Sequence, residues 1–143
     1  MRGIIKFIVA ILIAAVSLVT YWCNTQENEF TGEEQHVDMT VEQEIALGLQ
    51  AAPQMAEQYG GLHPDREAAA QLKAIGQKLV QSTKASDTPY KFDFHLLADE
   101  QTVNAFALPG GQIFITAGLL KQLESEAQVA GVLGHEIGHV VAR

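Results

Sequence analysis

His135 and His139 stand four residues apart, and Glu136 directly follows the first, in the pentapeptide His135-Glu136-Ile137-Gly138-His139. On a helix, side chains at i and i+4 project from one face, so the two imidazoles can grip a single Zn²⁺. The carboxylate between them projects beside that face, where it can act as general base on a zinc-bound water. The chemistry that suits this spacing is metal-assisted hydrolysis. Such a centre needs a third protein ligand. Cys23 is the only cysteine, which excludes an intramolecular disulfide and a cysteine-based zinc cluster, so the ligands must be His, Asp or Glu. His36, in a polar linker, His63, ahead of a helix start, and His95, on a strand, are not expected at the metal. Asp93 and Asp99 read as solvent-facing or capping residues.

The pentapeptide must sit on a helix. Ser125-x-x-Gln128 is a capping-box signal, so the helix should begin at Ser125. At 100° per residue, Val129, Leu133, Ile137 and Val140 share one side, with Val132 next to it. Gly131, Gly134 and Gly138 cluster on another side, the histidines fill the sector between, and Glu136 borders the valine side. Three interior glycines cost a helix about 1 kcal/mol each relative to alanine, so their shared face predicts close approach of another element. The helix should be enclosed nearly all round.

Other elements precede it. Thr40-x-x-Gln43 opens a helical pattern with Val41, Ile45, Leu49 and Ala52 on one face, which Pro53 should kink or end. After Gly60-Gly61, Pro64-Asp65 starts a second helix whose buried stripe is Ala68, Leu72, Ile75 and Leu79. Alternation over Tyr90–Leu97 predicts a strand, Asn104–Leu108 a second, and Gln112–Thr116 a third after the turn Pro109-Gly110-Gly111. Gly118–Leu123 should be a short helix. The fold class is α+β, with helices packed on a small mixed sheet.

The chain's 143 residues allow one modest domain and a targeting segment. Ile4–Trp22 has a single charge, Lys6, and would span about 28 Å as a helix, close to a bilayer's hydrocarbon core. Arg2 and Lys6 should stay in the cytoplasm, which puts everything after Cys23 outside it. Residues 1–23 are therefore expected to be a signal anchor; a cleaved signal peptide, giving a secreted or periplasmic protein, and acylation on Cys23 are the alternatives. Asn24–Asp38, with four glutamates, reads as part of a polar linker over 24–39, and residues 40–143 as the folded domain. After residue 23 there are seven basic and seventeen acidic residues, a net charge of −10. That balance argues against nucleic acid as a partner and against an anionic lipid surface for the folded part.

The zinc subclass narrows by comparison with longer motifs. A metzincin continues with glycine where this chain has Ala142, and the inverzincin order H-x-x-E-H is absent. What remains is the type whose third ligand is a distant glutamate on a later helix.

Val103-Asn104-Ala105-Phe106-Ala107-Leu108-Pro109-Gly110-Gly111, then Ile113 to Leu120, then Glu126 to His139 resemble peptidase family M48. The similarity spans roughly residues 40–143 and is concentrated from 103 onward. The resemblance implies a zincin-like, gluzincin-type metalloendopeptidase domain. It implies that His135 and His139 are zinc ligands, that Glu136 is the catalytic base, and that Asn104-Ala105 forms a sheet edge holding substrate backbone. It implies protein or peptide substrates, with quality control of membrane or extracytoplasmic proteins as the setting. The family's third ligand is a glutamate tens of residues beyond the second histidine, so the chain is expected to be a truncated, N-terminal part of a longer protein. Two other readings remain: a chaperone or assembly factor with a structural metal, and a catalytically incomplete membrane-tethered piece. Oligomeric state is left open.

Overall fold

The computed structural model describes residues 39–142 and, for the backbone, two short strands before them; the expected anchor at 1–23 lies outside the described residues. The chain divides into two compact units, 1–39 and 40–143. In the first, β1 (Thr25–Glu27) pairs antiparallel with β2 (Glu34–His36), within the segment read as a polar linker. Among the described residues no helix is long and apolar enough to cross a membrane.

The second unit is α+β. Helix α1 (Val41–Gln58) begins as its capping box predicts: Thr40 Oγ1 accepts from Gln43 N–H, and Gln43 Oε1 accepts from Thr40 N–H at 2.9 Å. Pro53 neither ends nor interrupts it. The ring is exposed, and the carbonyl it deprives of a partner belongs to Leu49, itself 55% exposed, where water can replace the lost bond. Leu49 was expected in the buried stripe; Gly48 and Ala56 take that side instead. Helix α2 (Arg66–Ser82) is capped by Asp65, whose Oδ1 accepts from the N–H groups of Glu67 and Ala68. Its expected stripe faces the core, with Leu72 2% exposed.

A three-stranded sheet follows, in the order β3-β5-β4, from β3 (Asp93–Leu97), β4 (Ala105–Leu108) and β5 (Gln112–Thr116). Parallel pairing of β3 with β5 and antiparallel pairing of β4 with β5 make it mixed. One face, carrying Phe94, Leu96, Ile113 and Ile115, packs on α2 and on the last helix. The other face carries Leu97 and Phe114, with Phe106 and Leu108, and packs on Ala52, Ala56 and Tyr59 of the α1 end. With helices on both sides, every residue of β5 is buried. A short helix α3 (Ala117–Leu120) and α4 (Glu126–Ala142) complete the unit.

Three local devices fix the sheet. Lys73 Nζ lies 2.6 Å from Asp93 Oδ1, tying α2 to β3. Burial alone would raise the pKa of Asp93, but the Lys73 ammonium, the Phe94 N–H and nearby His95 together hold it below the usual carboxylate range. Asp99 closes the loop before β4 by accepting from Thr102 Oγ1 and from the N–H groups of Thr102 and Gln101, which lower its pKa in that order. Thr116, fully buried, joins three segments through one oxygen. Its Oγ1 donates to Thr102 O at 2.5 Å, with Asn104 O an alternative acceptor at 3.1 Å, and accepts from Asn104 N–H and Leu119 N–H.

Candidate metal centre

Helix α4 starts where the sequence places it. Ser125 Oγ accepts from Gln128 N–H, and Gln128 Oε1 reaches back to Glu124 N–H at 2.6 Å. Val129, Leu133, Ile137 and Val140 form its buried side, with Leu133 completely inaccessible. Among the described residues, that side packs on α2 and the sheet. Gly131, Gly134 and Gly138 are exposed, and a Cβ at each would touch nothing among the described residues within 4 Å. The expected enclosure of the helix, and close approach at its glycine face, are therefore not observed. Among the described elements, those that pack on α4 do so along its valine-leucine side.

His135 and His139 are exposed on the same side of α4. Their Nε2 atoms are 2.9 Å apart, with ring centroids 4.4 Å apart and planes at 82°. This is a hydrogen bond in which one ring donates and the other accepts. Two nitrogens at about 2.0–2.1 Å from a tetrahedral Zn²⁺ lie roughly 3.3 Å apart. Opening the pair by about 0.4 Å would thus suit it to chelation, a change within reach of small side-chain rotations. The donor set fits two positions of a zinc coordination sphere. Among the described residues no group of three His, Cys, Asp or Glu side chains is arranged to hold a metal. His63 Nδ1 accepts from Asp65 N–H, and His95 Nε2 contacts Gln112 Oε1 at 2.8 Å while stacking on Phe114, so neither joins the pair.

Glu136 is only 8% exposed, at the border of the apolar side. Its placement follows from its position next to Ile137 and one turn from Leu133 and Val140.

Strand β4 lies at the sheet edge and packs against α4. Thr116 N–H donates to Asn104 O, which makes 104 and 116 a hydrogen-bonded pair. By antiparallel alternation Phe106 and Leu108 also turn their main-chain groups toward β5, while those of Ala105 and Ala107 point to the open edge. The Asn104 main chain is thus committed to Thr116, and its side chain donates to Tyr59 Oη at 3.2 Å. A cleft of about 190 Å³ runs from His139 and Val140 past Ala107–Gly110 to Glu44 of α1. Sequence reasoning missed Glu44 and Ala107. Strand alternation could have indicated Ala107, but Glu44 is 95 positions from His139 and carries no local signal. A larger cavity, about 570 Å³, lies between α2 and the start of α4 and contains none of the motif residues.

Residues 66–143 match peptidase family M48. Over 48 residues the chain is 54% identical to the mitochondrial metalloendopeptidase OMA1 of Arabidopsis thaliana, covering 34% of this chain and 10% of that protein. It is 31% identical over 105 residues to a beta-barrel assembly-enhancing protease of Yersinia pestis, covering 73% and 21%. It is 27% identical over 130 residues to OMA1 of Schizosaccharomyces pombe, covering 87% and 37%. The chain spans well under half the length of each of these relatives. The matched stretch takes in more than half the chain, from α2 through the edge strand to the histidine pair, and on that basis the chain belongs to peptidase family M48.

Proposed function

We propose that this chain contributes a gluzincin-type zinc centre to a metalloendopeptidase, with His135 and His139 as two ligands and Glu136 as general base. The observation that carries the reading is the convergence of the two Nε2 atoms on one exposed side of α4, beside the edge strand. The third ligand, in this reading, is a carboxylate from outside the described residues. Bound zinc would supply Lewis acidity and lower the pKa of water at the site. The chain's own residues do the rest. The Glu136 carboxylate takes the proton from the attacking water and passes it to the leaving amine. The main-chain groups of Ala105 and Ala107 hold an extended substrate by strand addition. Substrate contact falls to these two, with Asn104 setting the register of β4 through Thr116.

The relatives' names, with a beta-barrel assembly-enhancing protease among them, support protein substrates in an extracytoplasmic or membrane setting. We accordingly place the folded unit outside the cytoplasm, on a membrane anchor at residues 1–23. The test is digestion of casein and of a membrane-protein substrate by the full-length protein, with and without chelator. Chelation should abolish cleavage and added zinc restore it. Glu136→Gln should retain zinc and lose cleavage by about 10²–10⁴-fold. Near-normal cleavage by that variant would remove Glu136 from the mechanism.

A further inference from the structure

We propose that the groove between α2 and the start of α4 is a docking site for an amphipathic helix of a partner protein, one with an apolar ridge and basic flanks. This does not depend on the peptidase reading. The groove encloses about 570 Å³, too much for one side chain and suited to successive side chains along one helix face. Its floor is apolar, built from Leu72 and Ile75 of α2, Leu120 of α3, Leu123 just after it and Val129 of α4. A groove between two packed helices is also the shape that receives the ridge of a third. The rim is charged. Glu124 and Glu126 stand on the α4 wall and Lys78 on the α2 wall, and all three are exposed. Acidic residues at a helix start commonly cap it, but here Ser125 Oγ and Gln128 Oε1 take the N–H groups of Gln128 and Glu124. Lys121, three residues before Glu124, is held by Glu100 at 2.8 Å, and Lys73 of α2 by Asp93 at 2.6 Å. Among the described residues no ion pair engages Glu124, Glu126 or Lys78. The rim therefore sets two carboxylates and one ammonium around an apolar floor. That pattern complements a helix with apolar residues at i, i+3, i+4 and i+7 and lysine or arginine beside them. A second copy of this chain matches it poorly, because the charge after residue 23 is −10.

The test uses the full chain and synthetic helical peptides that share one leucine-alanine ridge and carry lysine, glutamine or glutamate on their flanks. Binding is read by fluorescence anisotropy at low salt. The lysine peptide should bind about tenfold tighter than the glutamine peptide, and the glutamate peptide weaker than both. Glu124→Lys combined with Glu126→Lys should reverse that order. The same change of net charge on exposed positions of α1, Glu42→Lys with Glu57→Lys, should keep it, which separates the groove from general attraction to an acidic protein. Ala74→Trp, filling the groove from an exposed position, should weaken the lysine peptide at least tenfold with the melting curve unchanged. A lysine peptide whose ridge is replaced by serine should not bind. An order unchanged in the Glu124 and Glu126 variant, an equal effect of the α1 control, or no binding of the lysine peptide overturns the proposal. A dimer in sedimentation that Ala74→Trp dissociates would seat a second copy in the groove and overturn it too.

Discussion

Replacing Gly48 by alanine should destabilise this protein, although the same change in most helix interiors stabilises. The helix-propensity gain is about 1 kcal/mol in alanine's favour. Against it stands the α1 joint: a Cβ on Gly48 would lie 1.9 Å from the carbonyl oxygen of Pro109 and 3.1 Å from its carbonyl carbon. Real Cβ contacts start near 3.0 Å, so the turn would have to retreat by about 1.1 Å. No rotamer can relieve a clash between a Cβ and main chain. The retreat is further opposed by Gly110 of the same turn, which sits against Ile45 so closely that its own Cβ would be 2.4 Å from Ile45 Cα. Overpacking of this kind costs about 1–3 kcal/mol, and the absence of any flexible atom places this case at or beyond the upper end. The net loss is about 2 kcal/mol, or roughly 8 °C in Tm for a unit of this size. Gly131→Ala and Gly138→Ala on α4 are the controls: their Cβ atoms meet nothing among the described residues, so each should gain up to about 1 kcal/mol. Urea denaturation with unchanged m-values would report both signs. A Gly48→Ala variant as stable as wild type would refute the backbone-on-backbone account of the α1 joint.

Thr116→Val should cost about 1–3 kcal/mol by denaturation, because it removes a fully buried hydroxyl and leaves the half-buried Asn104 N–H and Leu119 N–H without their acceptor. Asp93→Asn should lower Tm at neutral pH only. The depressed pKa of Asp93 contributes stability above the ordinary aspartate value, about 3.9, and that contribution is lost as pH falls below it, so thermal melts of the two proteins should converge in acid. His135→Ala and His139→Ala should each weaken zinc binding by at least tenfold in a competition titration, and leave the melting curve of the metal-free protein nearly unchanged because both side chains are exposed. Equal zinc affinity in either variant would remove that histidine from the ligand set.

The residues that announced this fold did so through repetition. The α2 stripe, the β4–turn–β5 unit and the four-residue histidine spacing each rest on a periodicity that the backbone must express. The errors came from residues read by type. Pro53 looks like a helix breaker, yet it costs only an exposed hydrogen bond, while Gly48, which the sequence did not single out, sits against the Pro109 carbonyl. Leu49 looks like core because it is apolar, but it is 55% exposed, while its neighbour Gly48 is buried against Pro109. The three α4 glycines suggested a covered face, whereas their surroundings depend on partners that sequence spacing does not name. The Glu44–His139 cleft was illegible for a different reason. It exists only after α1 has been carried across the whole unit.

Thr116 also bears on the order in which this chain assembles. Its hydrogen bonds reach back 14 residues at most and forward three, so they close short loops at small entropic cost. By contrast the Tyr90–Glu44 bond spans 46 residues. Segment 102–119 therefore holds the contacts a folding nucleus can form first, with α1 arriving late. On this topology the register of β4 against β5 can be set before the long contact with α1 closes.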